Sequence, residues 1–195
     1  GAIPLGLVIA FGSMSHFKPL SYITNIVVWI IRGTPLMIQM LIIYYFPGLV
    51  LNNVVWGGGE SGRFVAASVA FIFNYACYFS VIYRGGIQSV PQGQTEAGRS
   101  LGLNFSQTMR LIIIPQAFKN VLPALVNEFI VLIKETSIIG YIGMMDLTKG
   151  AMLIQSRTYN AFMPLLAAAA IYLIVVMVLT FFMNKLERRL RTSER

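Results

Sequence analysis

Residues 164–184, "PLLAAAAIYLIVVMVLTFFMN", contain no charged side chain. A helix needs ~20 such residues to cross the hydrocarbon core of a bilayer, and no water-facing surface tolerates a run of that length. Three more stretches are long and mostly apolar, at 20–46, 64–83 and 121–143, the first of them broken at Arg32-Gly-Thr-Pro35 because Pro35 removes a backbone donor. Inside lipid each backbone N–H and C=O must find a partner within the protein, so apolar runs like these are read as helices. Composition agrees: 11% of residues are charged and the mean hydropathy is +0.71, against about 25% charged in soluble domains. The first run, "GAIPLGLVIAFG", is too short to span and reads as the tail of a first membrane helix. The expectation is an all-α polytopic membrane protein: one domain over 1–195 with about five transmembrane helices, the first truncated.

The formal charge of +8 does not mark a nucleic-acid binder, because its cations are not gathered into one basic face. They punctuate the apolar runs instead. If crossings alternate, one side receives Lys18, Arg84, Arg99, Arg110, Lys119, Lys185, Arg188, Arg189, Arg191 and Arg195, and the other only Arg63, Lys149 and Arg157. Basic residues accumulate in cytoplasmic loops, which puts the loop around 84–120 and the C-terminus in the cytoplasm. The single cysteine excludes an internal disulfide and a cysteine-based zinc cluster. No metal site is expected.

The 84–120 loop holds a half-polar stretch, "QTEAGRSLGLNFSQTMR" from Gln94. Ser89/Gln92 and Asn104/Gln107 both have the spacing of a capping box and predict two helix starts. Ala97, Leu101 and Phe105 recur every four residues as an apolar strip, with Gly98 on the same side. Gly98 and Gly102 leave room for close approach of another group. Periodicity alone fits two readings, a helix resting on lipid and a helix docking into a protein groove. Small residues and a sparse charge count against lipid contact, and the pattern alone leaves the two readings evenly matched.

"EAGRSLG" followed by "IIIPQAFKNVLPAL" resembles the EAA loop of ABC-transporter permeases. So do "RGTPL" at 32–36, "YRGGIQSVPQGQ" at 83–94, "KETSIIGYIG" at 134–143, "DLTKGA" at 146–151 and "LERRL" at 186–190, in the order and spacing of the polar amino-acid branch. The resemblance implies a binding-protein-dependent importer. The loop at about 91–124 would carry the coupling helix, with Glu96, Ala97, Gly98, Leu101 and Gly102 meeting a cytoplasmic ATP-binding subunit. Further implied partners are a second permease subunit and an extracytoplasmic amino-acid-binding protein, besides membrane lipid. The chain has no G-x-x-x-x-G-K-[ST] phosphate loop, so ATP and Mg belong to the partner, and the chain is a transport subunit rather than an enzyme. Gly98 departs from the pattern, where a second alanine is common. Val81 stands where many relatives carry an acid.

Polar groups at membrane depth mark function, pairing or a water-filled path. Asn74 and Tyr78 in the third span are path candidates, with Asn127, Glu128, Lys134, Glu135, Thr136 and Ser137 in the fourth. Glu128 and Glu135 lie seven apart on one helical face, as do Asn127 and Lys134. Such a Lys–Glu set can meet both charges of a zwitterionic amino acid. The resemblance places Glu135 near the substrate path. An ATP-independent secondary transporter or channel also fits the hydropathy and buried charges, but leaves the coupling-like helix unexplained.

Overall fold

A computed structural model describes residues 1–51 and 55–192; residues 52–54 and 193–195, Arg195 among them, lie outside the described residues. The described residues are helical, in the order α1 (Ala2–Ser13), α2 (Lys18–Gly33), α3 (Leu36–Leu51), α4 (Gly59–Gln88), α5 (Gln92–Ser100) and α6 (Phe105–Thr108). A π-turn at Met109–Ile113 leads into α7 (Ile114–Glu135), a 3₁₀ helix at Thr136–Ile142, α8 (Leu147–Thr158) and α9 (Phe162–Thr192). The all-α expectation stands.

Two helices are long and apolar enough to cross a membrane, α4 over Gly59–Gln88 and α9 over Phe162–Lys185, with a third if α2 and α3 form one broken span. The 20–46 stretch is broken at Arg32-Gly-Thr-Pro35, as the proline there predicts. Pro35 supplies no N–H and pushes Thr34 out of the helical region. Gln39 Nε2 then donates to Thr34 Oγ1 at 2.6 Å across the gap. At 22 residues α7 has the length to span, but it carries Lys119, Glu128, Lys134 and Glu135, so apolarity alone does not single it out.

The chain divides into two compact units: 1–33 with 72–126, and 34–71 with 127–195. In the first, α1 packs closely on α4. A Cβ on Gly6 would lie 2.9 Å from Phe79 Cβ and 3.1 Å from the Ala76 carbonyl oxygen, the small-residue contact by which helices associate where no hydrophobic drive exists between them. In the second, Met40, Ala67, Ala70 and Ile142 form a buried cluster, with Ile138, Ile139 and Tyr44 against it. Trp56 Nε1 donates to the Ile43 carbonyl at 2.8 Å. Asp146 caps α8 by accepting from the Lys149 and Thr148 amides, and Asn160 Oδ1 accepts from Phe162 and Met163 at the start of α9. Only 6% of the apolar window of α9 is buried within the chain, so its covering comes from lipid or another protein.

Candidate functional site

The half-polar stretch folds as a tight hairpin. Pro91, with φ −57°, precedes α5. The helix stops after Ser100: Gly102 takes φ +81°, its N–H reaches the Arg99 carbonyl at 2.9 Å, and the Leu103 N–H reaches Gly98 at 3.1 Å. These paired bonds form a Schellman ending, in which glycine adopts the left-handed conformation other residues resist. Asn104 then starts α6 with a reciprocal capping box, Gln107 N–H to Asn104 Oδ1 and Asn104 N–H to Gln107 Oε1, each 2.9 Å.

The expected box at Ser89/Gln92 does not form. Ser89 Oγ donates instead to the Gly86 carbonyl at 2.8 Å and accepts from Asn120 Nδ2 at 2.9 Å, because Pro91 lies between Ser89 and the first amides of α5 and fixes the entry. Gln116 Nε2 meets Gln94 Oε1 at 3.3 Å. Beneath these bonds, Val90, Ile113 and Ala117 form a small core with Ile87, Met109 and Ile112. Gly86 lets α4 approach α7 so closely that a Cβ there would collide with Val121 Cγ1. The hairpin is thus tied to both helices that carry it.

Its two faces differ. Gly98 is buried: a Cβ on it would lie 2.9 Å from Ile112 Cδ1 and 3.0 Å from Thr108 Cγ2. Thr108 is itself buried beneath α5, and its Oγ1 has no hydrogen-bond partner. Leu101 is 80% exposed and Phe105 62% exposed. The expected common face of Gly98, Leu101 and Phe105 is therefore not formed, since the helix ends between them. Gly98 serves close approach, but to its own chain. Gly102 serves the turn, with nothing within 4 Å of where a Cβ would stand. Glu96, Ala97, Arg99, Ser100 and Leu101 form the open face.

The membrane-depth candidates separate by unit. In the first, Asn74 is buried and Tyr78 half-buried on consecutive turns of α4. The Arg32 guanidinium lies over the Tyr78 ring, 5.0 Å from its centroid, a contact that needed tertiary structure to see. Arg84 is followed by another turn of α4 to Gln88 and donates to Asn25 Oδ1 at 3.2 Å. In the second unit, Asn127, Lys134 and Thr136 are exposed, while Glu128, Glu135 and Ser137 are half-buried. Glu135 is the last residue of α7, where the helix tightens to 3₁₀. Ser137 lines a cleft of about 170 Å³ with Gly140, Tyr141, Asp146, Lys149 and Met152. Sequence reasoning did not select Asp146, although an acid three residues before Lys149 ahead of an apolar turn is a capping signal.

Residues 2–192 match the family of binding-protein-dependent transport system inner membrane components. The chain belongs to that family. It is 38% identical to the arginine transport system permease protein ArtQ of Bacillus subtilis over 97% of this chain and 84% of that one. It is 32% identical to the glutamine transport system permease protein GlnP of Escherichia coli, over 98% and 85%. A crystal structure of an amino acid ABC transporter with histidines superposes with TM-score 0.86 at 41% identity, covering 96% of this chain and 85% of that one. An inward-facing MetNI methionine ABC transporter shares the fold, with TM-score 0.72 at 19% identity. The membrane-permease reading of the sequence holds.

Proposed function

We propose that this permease imports polar amino acids, driven by ATP hydrolysis on a separate cytoplasmic subunit that grips the open face of α5. The observation that carries the reading is the hairpin itself. It is a short helix, capped at its far end and pinned to α4 and α7, with Ala97 and Leu101 presented to solvent beside Glu96. A small exposed apolar patch on a rigid stem suits docking into a groove. Motion of the grip would pass into α4 and α7 as rigid-body displacement. The relatives named for arginine, glutamine and cystine support an amino-acid cargo. A second permease subunit, identical or homologous, and an extracytoplasmic binding protein complete the assembly, and α9 offers lipid or the second subunit an almost wholly open apolar face. In this reading Asn74, Tyr78, Asn127, Glu128, Lys134, Glu135, Thr136 and Ser137 belong to the substrate path.

Sealed right-side-out vesicles holding the complex, supplied outside with loaded binding protein, test the mechanism. Uptake should require ATP in the lumen and stop with a non-hydrolysable analogue. Uptake without ATP would make the chain a secondary transporter or channel. Orientation is tested through Ser100→Cys: an impermeant thiol reagent should label it in inside-out vesicles and not in intact cells. The native Cys77 is buried and leaves a low background.

A further inference from the structure

Arg32 is in an expensive place. It lies about 21 Å along α2 from Lys18, and Tyr78 about 15 Å along α4 from Gln88, at 1.5 Å per residue. Both positions are deep within a ~30 Å hydrocarbon core if these helices cross it. A charge at that depth is retained for a partner, a pathway or a ligand. Within its own unit the only carboxylate side chain is Glu96, which is exposed on the cytoplasmic hairpin, so the unit supplies no internal counter-charge at that depth. What it supplies is the Tyr78 face, 5.0 Å from the guanidinium carbon. A ring beneath the cation stabilises it and fixes its plane, but takes none of its five N–H donors in the way an acceptor oxygen would. Arg32 is also exposed within the chain, so its donor edge is accessible.

We infer that Arg32, oriented by the Tyr78 ring, is the binding group for the α-carboxylate of the transported amino acid. A planar guanidinium offers two parallel N–H groups that match a carboxylate's two oxygens, which an ammonium cannot reproduce. Arginine, glutamine and cystine, the cargoes in the relatives' names, differ in side-chain charge, size and polarity. Their common features are the α-ammonium and α-carboxylate. A cation in the path is therefore compatible with any of them, and side-chain selection falls to other residues. Asn74, one turn from Tyr78 on α4 and buried, holds a polar position beside this pair. The inference rests on the amino-acid reading above and names one contact in that path.

The test is equilibrium binding to the purified permease–ATPase complex, using L-arginine, L-glutamine and L-cystine against their α-carboxamides, which keep the side chain and lose the negative charge. The unaltered complex should prefer an acid to its amide. Arg32→Gln should weaken the acid roughly ten- to a hundredfold, the range for a charge-assisted pair, and leave the amide within about twofold. Arg32→Lys, which keeps the charge and should preserve assembly, is expected to weaken the acid several-fold and spare the amide. Tyr78→Ala, which removes the ring beneath the guanidinium, should weaken the acid several-fold and spare the amide. Equal loss for acid and amide, or unchanged acid binding in either Arg32 variant, overturns the assignment. Recovery of Arg32→Gln by Glu128→Gln or Glu135→Gln also overturns it, since that would make Arg32 half of an internal ion pair. If the unaltered complex binds none of the twenty amino acids, the amino-acid cargo itself fails, a different outcome from a failure at Arg32.

Discussion

The hairpin at 86–121 and the segment at 127–142 are two places where polar side chains interrupt the apolar chain, and they handle polarity in opposite ways. In the hairpin the polar groups pair with one another over short distances: Asn104 with Gln107, Ser89 with Asn120, Gln94 with Gln116. Its shape is therefore set internally, and one face is left over for something else. Along the end of α7 the polar groups stay on a continuing helix, with Glu128 and Glu135 half-buried and Lys134 exposed. The helix tightens there to 3₁₀ and ends at Gly143, φ +81°. A polar region that closes on itself makes a rigid handle. A polar region strung along a helix spaces its charged groups over successive turns of one element.

Substitutions at four positions would break or sharpen that contrast. The largest effect is expected on the open face. Leu101→Asp puts a charge where an exposed apolar side chain would be buried in the partner, a loss of about 2 kcal/mol or more if it is an anchor, or roughly thirtyfold in affinity. The ATP-binding subunit should be lost on purification and uptake abolished while the permease remains in the membrane. Co-purification at the normal level would leave the open face without a role.

Gly98→Leu attacks the inner face. Four added carbons must fit against Thr108 and Ile112, and overpacking costs about 1–3 kcal/mol. The melting temperature of the purified permease should fall by several degrees, whereas Gly98→Ala should cost far less, because Ile112 Cδ1 is a movable side-chain end, Thr108 need give by only a few tenths of an ångström and alanine regains helix propensity. Loss of the ATPase with an unchanged melting temperature would mean that Gly98 faces the partner after all.

Glu135→Gln probes the other region. It removes a charge and keeps the shape, so uptake should fall about tenfold, the scale of one charge-assisted hydrogen bond, with assembly intact. Normal uptake would return Glu135 to a packing role. The smallest effect belongs to Asn104→Ala. Removing the cap costs about 1 kcal/mol, so melting should drop by a few degrees with ATPase co-purification retained. A larger loss would show that the capping box supports the docked face and not only α6.

Much of this was legible in the chain. The Asn104/Gln107 box forms as its spacing predicts, because a capping box is a local arrangement within four residues. The Ser89 box has the same signature and fails, because the serine's partner is Asn120 on another helix, and no local pattern encodes that. Gly98 and Gly102 read alike in sequence, as small residues in one helix. They part company only when Gly102 ends that helix and Gly98 meets Thr108. The break of 20–46 at Pro35 was readable from the lost donor, because a proline acts on its own stretch of backbone.

By itself the sequence determined the medium, the helical class, the uneven distribution of basic residues and the family, because hydropathy, charge counting and contiguous motifs depend only on neighbours along the chain. Tertiary structure decided which face of α5 is open, that Arg84 reaches Asn25, and that Arg32 rests on Tyr78. These are encounters between residues tens of positions apart. Their geometry follows from how closely helices can approach, set by side-chain volume at glycines such as Gly6, Gly86 and Gly98, and a one-dimensional pattern does not record it.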